Sequence, residues 1–228
     1  MRYGIFLALP LLFSFTFSPM TETINLGAGK KSVQFQIHNN TDKTIPITIK
    51  AVQRIQAIDG KEELPHTQDI KIFPPQLIVP KGAKRSIRVD WVSDKKISTE
   101  QSYRIIAEQV PLDVDKKSEG IKGGIKMLMR FMSALYVDPG KTKSNLKVSK
   151  LESLGGKLKV HLENSGSKHQ YLKNVKIKIS DGKKTIKLKK GELEKLEGHN
   201  VLAGKTRVFE FTLKQKINDK FKGEISVD

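Results

Sequence analysis

Residues that could hold a metal ion are few in this chain. It contains no cysteine, which excludes a thiolate zinc site, a cysteine nucleophile and a disulfide framework. Histidines that share a metal on one strand or helix recur about two to four residues apart, and none of the histidines here has such a neighbour. The sequence therefore predicts no metal site; its histidines are His38, His66, His161, His169 and His199.

The motifs of nucleophilic and phosphate-binding enzymes are missing as well. Neither G-x-S-x-G nor G-x-x-x-x-G-K-[ST] occurs. An S-x-x-K match begins at Ser93, but its S-D-N and K-T-G partners are absent, which indicates a chance match in a lysine-rich chain. Gly27-Ala28-Gly29 lacks the third glycine of a dinucleotide fingerprint and indicates a turn. We expect a protein that is not an enzyme, with no catalytic residues and no cofactor.

The elements that would position any binding residue are short strands. Apolar residues alternate with polar ones in several runs, each bounded by Asn, Asp, Gly or Pro. This period of two is typical of half-buried antiparallel strands, and many such strands predict a sandwich or barrel. Residues 191–198 are only a weak helix candidate. We predict an all-β protein from the apolar positions Val33, Phe35, Ile37, Ile45, Ile47, Ile49, Leu158, Val160, Leu162, Val175, Ile177 and Ile179.

The chain of 228 residues is long enough for two sandwiches of about 100 residues each. Strand patterning stops at Asp138-Pro139-Gly140-Lys141, where turn residues take over. We expect an N-terminal immunoglobulin-like domain over residues 17–138 and a C-terminal β-sandwich domain over residues 141–228.

The N-terminus predicts export. Arg2 precedes a charge-free apolar run over residues 5–17, which is the layout of a secretory signal peptide. A membrane anchor or a buried strand is the alternative, but the run is shorter than a spanning helix of about 20 residues and contains Pro10. We expect a leader of approximately residues 1–16, cleavage between Ser14 and Met20, and a mature protein that is not integral to the membrane.

The chain is strongly basic, with a formal charge of +18. Residues 141–228 hold 22 Lys and Arg against 10 Asp and Glu, a net charge of +12. Such a surface attracts anionic partners, although lysines on exposed strand faces also keep sheet edges soluble. One candidate function is therefore a secreted basic binding module for an anionic polymer or a membrane surface.

A resemblance to a known family rests mainly on two segments. FPPQLIVPKGAKRSIRVDWV, residues 73–92, and SYRIIAEQVP, residues 102–111, resemble consecutive strands of the periplasmic pilus-assembly chaperones, the PapD-like family. FSPMTETINL, HNNTDKTIPITIKAVQ and LKVHLENSGSKHQYL are similar to further strands and asparagine-rich turns of that family. The resemblance covers most of the chain after the leader and is specific in the first domain.

The resemblance implies a fold and a function. Members have two immunoglobulin-like β-sandwich domains set at an angle, and they act in the periplasm without a cofactor. They bind pilus or surface-fibre subunits whose own sandwich lacks its last strand, and they lend a strand of their own, which is called donor-strand complementation. An outer-membrane usher is the further partner that the resemblance implies, and nucleic acid is not one.

The lending strand would lie at about residues 125–135. Ile125, Met127, Met129 and Phe131 share one face of it and are the expected subunit-binding side chains. Since Leu128 and Met132 make the other face apolar too, the strand could equally be buried on both sides. Both alternatives hold if one face packs on the core and the other meets a subunit.

One departure from the family concerns the subunit's C-terminal carboxylate. Members of the best-known branch grip it with an arginine and a lysine, and those positions fall at Thr21 or Thr23 and at Ala134 here. We therefore expect a divergent branch. Arg104 and Arg130 are the candidate replacements, because a guanidinium can hold a carboxylate with two hydrogen bonds; the alternative is that both are surface charges.

Overall fold

The computed structural model describes residues 15–111, 128–154, 156–188, 190–212 and 221–227. Among these residues the helical elements are short: one turn of α-helix, α1 (Lys190–Leu193), and 3-10 turns at Leu26–Ala28 and Glu194–Leu196. The first eleven strands are β1 (Phe15–Ser18), β2 (Thr21–Asn25), β3 (Ser32–Asn39), β4 (Ile45–Gln53), β5 (Ile55–Gln56), β6 (Glu62–Glu63), β7 (Ile70–Phe73), β8 (Gln76–Val79), β9 (Lys84–Trp91), β10 (Gln101–Gln109) and β11 (Arg130–Asp138).

The strands of the second half follow a linker that contains Pro139 and Gly140. They are β12 (Leu146–Leu154), β13 (Lys157–Asn164), β14 (Gln170–Tyr171), β15 (Lys176–Ser180), β16 (Thr185–Lys187), β17 (Asn200–Val201), β18 (Lys205–Thr212) and β19 (Lys222–Ser226).

The first domain is a sandwich of two sheets. One sheet has the order β1-β3-β9-β7 and the other the order β2-β11-β10-β4-β8. Apolar residues that alternate along each strand point between the sheets and exclude water from one core. Its largest fully buried members are Phe15, Ile24, Phe35, Ile37, Ile47, Ile87, Tyr103, Ile105 and Leu135.

The second domain has a separate core between the sheets β12-β13-β18 and β16-β15-β19. Leu158, Val160 and Leu162 of β13 face Ile177 and Ile179 of β15 across this core. The prediction of an all-β chain with two β-sandwich domains is confirmed. No helix in the described ranges is long and apolar enough to cross a membrane.

A buried asparagine ends the corresponding strand in each domain. The Asn39 side chain donates to the carbonyls of Lys43, Val79 and Pro80 at 2.7–3.1 Å. Asn164 donates in the same way to the carbonyls of Lys168 and Val201. Because an amide can satisfy several backbone groups at once, these residues join a turn to the neighbouring strands.

The glycine turn at residues 27–29 has a structural role. Residues Leu26–Ala28 form a 3-10 turn that ends at Gly29, whose φ is 73°. The prediction of a turn at Gly27-Ala28-Gly29 is thus confirmed. A Cβ at Gly27 would lie 2.6 Å from the Cα of Gly140, so the turn and the interdomain linker touch through backbone that only glycine leaves free.

β1 begins earlier than the sequence predicts for the first domain. Phe15 and Phe17 are buried in the core, and β1 pairs with β3 from Phe15 onward. The expected leader, residues 1–16, therefore overlaps a core strand, because the apolar run that suggests a leader also supplies this strand. Residues 1–14 lie outside the described residues.

Candidate functional site

A free strand edge lies at the beginning of β11. β10 pairs with β11 along one side, with Glu108 opposite Arg130 and Gln101 opposite Val137. On the other side β2 pairs in parallel only from Ala134 onward. Within the described residues, the backbone of Arg130 to Met132 thus has no hydrogen-bonded strand on that side, and an unpaired edge can accept a strand from another chain.

Exposed apolar side chains surround this edge. Met132 of β11 is 41% exposed, and Leu128, which lies two residues before β11, is 48% exposed. Met20, 53% exposed, lies beside them, since its carbonyl accepts the hydrogen bond of the Ala134 amide at 2.9 Å. Large methionine and leucine side chains that remain in water next to an unpaired edge mark a surface for another protein.

Met129 and Phe131 point the other way. Both are half-buried and pack against the core of the first domain, and the Phe131 ring meets the Phe15 ring edge to face at 4.8 Å. Of the alternatives that the sequence leaves open, core packing is the one these contacts support for the two residues. The exposed face consists of Leu128 and Met132 instead. Ile125 and Met127 lie outside the described residues, and their contact with a subunit stays a prediction.

Arg104 is already occupied by a carboxylate of its own chain. Its guanidinium donates two hydrogen bonds to the two Glu62 oxygens, at 2.6 and 2.8 Å, and Arg54 also contacts Glu62 at 2.7 Å. Burial would raise the pKa of Glu62, but the hydrogen bonds and charges of Arg104 and Arg54 outweigh it and hold that pKa below its usual value. Arg104 is thus poorly placed to grip a second carboxylate.

Arg130 remains exposed at the free edge, and it makes no ion pair with the residues that the structure describes. It lies between Leu128 and Met132 along the strand. A cation at this place can meet an anionic group of a partner, and this role stays a prediction.

The two family anchor positions lie side by side. Thr21 of β2 is directly opposite Ala134 of β11, and Thr23 is opposite Tyr136. Ala134 is buried with Tyr136 and Leu202, and the Thr21 hydroxyl lies 3.4 Å from the Tyr171 hydroxyl. The register therefore brings uncharged side chains together where the two domains meet.

A polar cluster with no signal in the sequence joins the two domains. The Tyr136 hydroxyl accepts hydrogen bonds from Asn200 at 2.6 Å and from Arg54 at 3.3 Å, and Arg54 also donates to the Asn200 side-chain oxygen. Gln56 donates to the Asn200 carbonyl. No local signal could reveal the cluster, because its members come from strands far apart in the sequence.

Further contacts join the two domains. The amide of Val208 donates to the Ile58 carbonyl at 2.8 Å, and the amide of Glu100 donates to the Ser167 carbonyl at 2.9 Å. The Glu100 carboxylate also accepts from His169, whose ring stacks on Tyr136 with centroids 3.8 Å apart. The free edge of β11 therefore belongs to a domain that contacts the second domain through several hydrogen bonds.

The features of this site are those of a binding surface. In the described parts of the chain no group of three or more His, Asp or Glu side chains is placed to hold a metal ion. What the site offers is an open row of backbone donors and acceptors beside apolar side chains, which is the combination used when one protein adds a strand to another.

Comparisons with known proteins agree with this geometry. The family model of the pili and flagellar-assembly chaperones, PapD N-terminal domain, matches residues 17–143. No curated protein sequence matches the chain. A chain of the CsuC–CsuE chaperone–tip adhesion subunit complex from the archaic Csu pili of Acinetobacter baumannii has a TM-score of 0.65 at 19% identity, with 90% of each chain covered.

Two further solved structures are similar in fold. The class 5 fimbriae chaperone CfaA has a TM-score of 0.60 at 16% identity over 94% of this chain and 98% of its own. The complex of the Salmonella enterica pilin SafA with the chaperone SafB has a TM-score of 0.55 at 16% identity, over 88% of this chain and 85% of its own. At these identities the likeness concerns the fold, and the family model, which spans more than half of the sequence, decides the family. The chain belongs to the PapD-like family of pilus-assembly chaperones.

Proposed function

We propose that this chaperone binds incomplete pilus-type subunits by donor-strand complementation through β11. The observation that carries the proposal is the unpaired edge at Arg130–Met132, flanked by the exposed side chains of Leu128, Met132 and Met20. A subunit that lacks its last strand exposes a hydrophobic groove with unpaired edges and aggregates. The backbone of β11 would complete its sheet, and the apolar side chains would fill the groove.

We assign Met132 of β11 and Leu128, which lies two residues before β11, to the groove of the subunit, because both side chains are exposed. Met129 and Phe131 would hold the strand on the chaperone while its edge is shared. Ile125 and Met127 remain candidates for the same interface from the family resemblance, and Arg130 remains the candidate for a carboxylate. The proposed activity involves no covalent step and no cofactor.

The remaining assignments follow from the same function. We propose export to the periplasm behind a leader that ends before Phe15, because Phe15 belongs to the core. An outer-membrane usher would receive the subunit. The proposed domains correspond to the two cores, on either side of the linker at Pro139-Gly140.

The test replaces Leu128 and Met132 together by aspartate. Both side chains are exposed, so we expect the double variant to fold with an unchanged melting temperature. Burying two charges in an apolar groove costs several kcal/mol by order of magnitude, which predicts at least about a hundredfold weaker binding. The measurement is the aggregation of pilus-type subunits, co-purified from the envelope fraction, in the presence of each chaperone variant.

Val92→Asp is the matched control. Val92 is 48% exposed and follows β9, away from β11 in the described fold, so its replacement should leave protection of the subunit unchanged. A folded double variant that protects the subunit as well as the wild type does would contradict the proposal.

A further inference from the structure

The methionines of this chain are concentrated around one strand of the first domain. The sequence contains five of them, and the second domain, residues 141–228, contains none. Apart from Met1 they are Met20, Met127, Met129 and Met132. Three fall within residues 127–132 of the sequence, of which Met127 lies outside the described residues. Met20 lies next to β11, because its carbonyl accepts the hydrogen bond of the Ala134 amide.

The protein does not use methionine to fill its cores. In the described ranges the buried apolar side chains are Ile, Val, Leu, Phe, Ala, Tyr and Trp. Met132 is 41% exposed and Met20 is 53% exposed, whereas Met129 is half-buried against the first core. Two thioethers are therefore open to small molecules in the solvent, and both lie at the surface that we propose for the subunit.

Exposed apolar positions elsewhere in the described fold have no sulfur. Ile58, Ile78 and Val92 are each about half exposed or more, and they show that this chain places branched aliphatic side chains in water. Leucine or isoleucine would give the edge of β11 the same apolar character. Methionine there has two distinguishing properties, which are its adaptable shape and its oxidisable sulfur.

The thioether is the group at this edge that a mild oxidant attacks. The chain has no cysteine, so methionine supplies all of its sulfur atoms. Hydrogen peroxide transfers one oxygen atom to the sulfur: the O–O bond breaks, an S=O bond forms and the second oxygen leaves as water. The sulfur loses two electrons, the peroxide gains them, and a flexible apolar side chain becomes a polar sulfoxide.

A sulfoxide at these positions opposes the function proposed for this edge. An apolar groove that receives Met132 would have to bury the new polar oxygen, and burial of a polar atom without a hydrogen-bond partner is costly. The free protein tolerates the same change, because the exposed parts of Met20 and Met132 already contact water, which can solvate the oxygen. Oxidation at these two residues therefore weakens subunit binding and leaves the chaperone folded.

We propose that Met20 and Met132 are modification sites, at which oxidation by a peroxide turns subunit binding off. The inference rests on the proposed function, since it concerns the surface that would enter the subunit. The change is reversible: a methionine sulfoxide reductase with a dithiol returns the thioether, while the sulfoxide oxygen leaves as water and the dithiol becomes a disulfide.

The experiment oxidises the purified protein alone with hydrogen peroxide, removes the peroxide and then adds pilus-type subunits. Peptide mass spectrometry locates the sulfoxides, and the chaperone concentration that halves subunit aggregation measures binding. We expect oxidation of Met20 and Met132 before Met129, an unchanged melting temperature, and a halving concentration about tenfold or more higher than before treatment. Sulfoxide reductase with dithiothreitol should restore the original concentration.

The variant M20L/M132L separates oxidation from adaptable shape. Leucine has nearly the volume of methionine, so the untreated variant should protect subunits as well as the wild type does, and peroxide should no longer weaken it. M129L is the matched control, because it removes the half-buried sulfur instead. Peroxide should weaken M129L as much as it weakens the wild type.

Three results would overturn the proposal while leaving donor-strand binding intact. They are loss of protection in peroxide-treated M20L/M132L, full protection by wild type that carries both sulfoxides, and a melting temperature that falls on oxidation. Failure of the proposed function gives a different result, which is an untreated wild-type protein that does not protect subunits. That result would contradict donor-strand binding itself and this inference with it.

Discussion

At the scale of single residues, Glu62 is the carboxylate that neutralises Arg54 and Arg104, and Arg54 also contacts the second domain through Asn200. Its carboxylate sits between the guanidinium groups of Arg54 and Arg104, and it explains why Arg104 is not free for a subunit. The pair of arginines would repel each other without it, because the three side chains are largely removed from water.

We predict that Glu62→Gln destabilises the folded protein by about 2 kcal/mol at pH 7, since it leaves two partly buried guanidinium groups without a counter-charge. The folded-state pKa of Glu62 lies below its usual value of 4.5, so its contribution is fully present above that pH and is lost as the pH falls through the folded-state pKa. The difference between wild type and variant, measured by urea unfolding from pH 7 to pH 3, should therefore shrink below about pH 4.5.

Glu63→Gln is the control for this prediction, because Glu63 is the exposed neighbour on the same short strand. It should change the unfolding free energy by less than about 0.5 kcal/mol at every pH. A Glu62→Gln protein as stable as the wild type at pH 7 would show that the arginines need no carboxylate.

At the scale of elements, β1 decides where a mature chain can begin. Phe15 and Phe17 alternate inward along this four-residue strand, Phe17 stacks on Phe35 at 5.2 Å, and Phe15 meets Phe131 of β11. β1 therefore packs against the core-facing side of β11, and the other side of β11 is the one that we assign to the subunit.

We predict that a chain beginning at Ser14 is folded and that a chain beginning at Met20 is severely destabilised. Loss of one buried phenylalanine side chain typically costs about 3–5 kcal/mol, and the shorter chain loses two. Thermal unfolding of the two chains, with N-terminal sequencing of the exported protein, checks this. Equal melting temperatures, or a natural N-terminus after Phe17, would contradict the role given to β1.

At the scale of the whole molecule, the angle between the domains depends on a few polar contacts. The Tyr136 hydroxyl accepts one hydrogen bond from Asn200 of the second domain and another from Arg54 of the first. Burial of this hydroxyl raises the pKa of Tyr136 well above its usual value. In the described residues, one small apolar cluster joins the domains, Ala134, Tyr136 and Leu202, so we expect the hydrogen bonds of the Tyr136 hydroxyl to contribute much of the stability of this contact.

We predict that Tyr136→Phe costs about 1–3 kcal/mol and loosens the interdomain angle, since two buried donors lose their acceptor. Calorimetry should then separate the melting of the two domains, and small-angle X-ray scattering should show a wider distribution of sizes. Tyr171→Phe, which removes a hydroxyl at the half-exposed edge of the same cluster, should leave both measurements near the wild type. A single unchanged transition in Tyr136→Phe would mean that other contacts fix the angle.

The sequence by itself determined the fold class, because alternation along a strand is a local property: Phe35 and Ile37 face the core for the same reason that Gln34 and Gln36 face water. It also determined the likeness to the family, through turn residues and strands that are consecutive in the chain. The share of the basic charge carried by residues 141–228 follows from composition alone.

Tertiary structure decided the rest, because each remaining feature depends on residues distant in sequence. Both faces of β11 are apolar, so only packing against Phe15 shows that Phe131 lies inward and Met132 outward. By sequence, Arg104 is a candidate anchor for the subunit's carboxylate, but in the fold it donates to the carboxylate of Glu62, which is 42 positions away. The lysines of the second domain occur in similar alternating patterns along the chain. The strand pairing alone shows which of them lie opposite a glutamate, because a charge is neutralised by residues that are close in space.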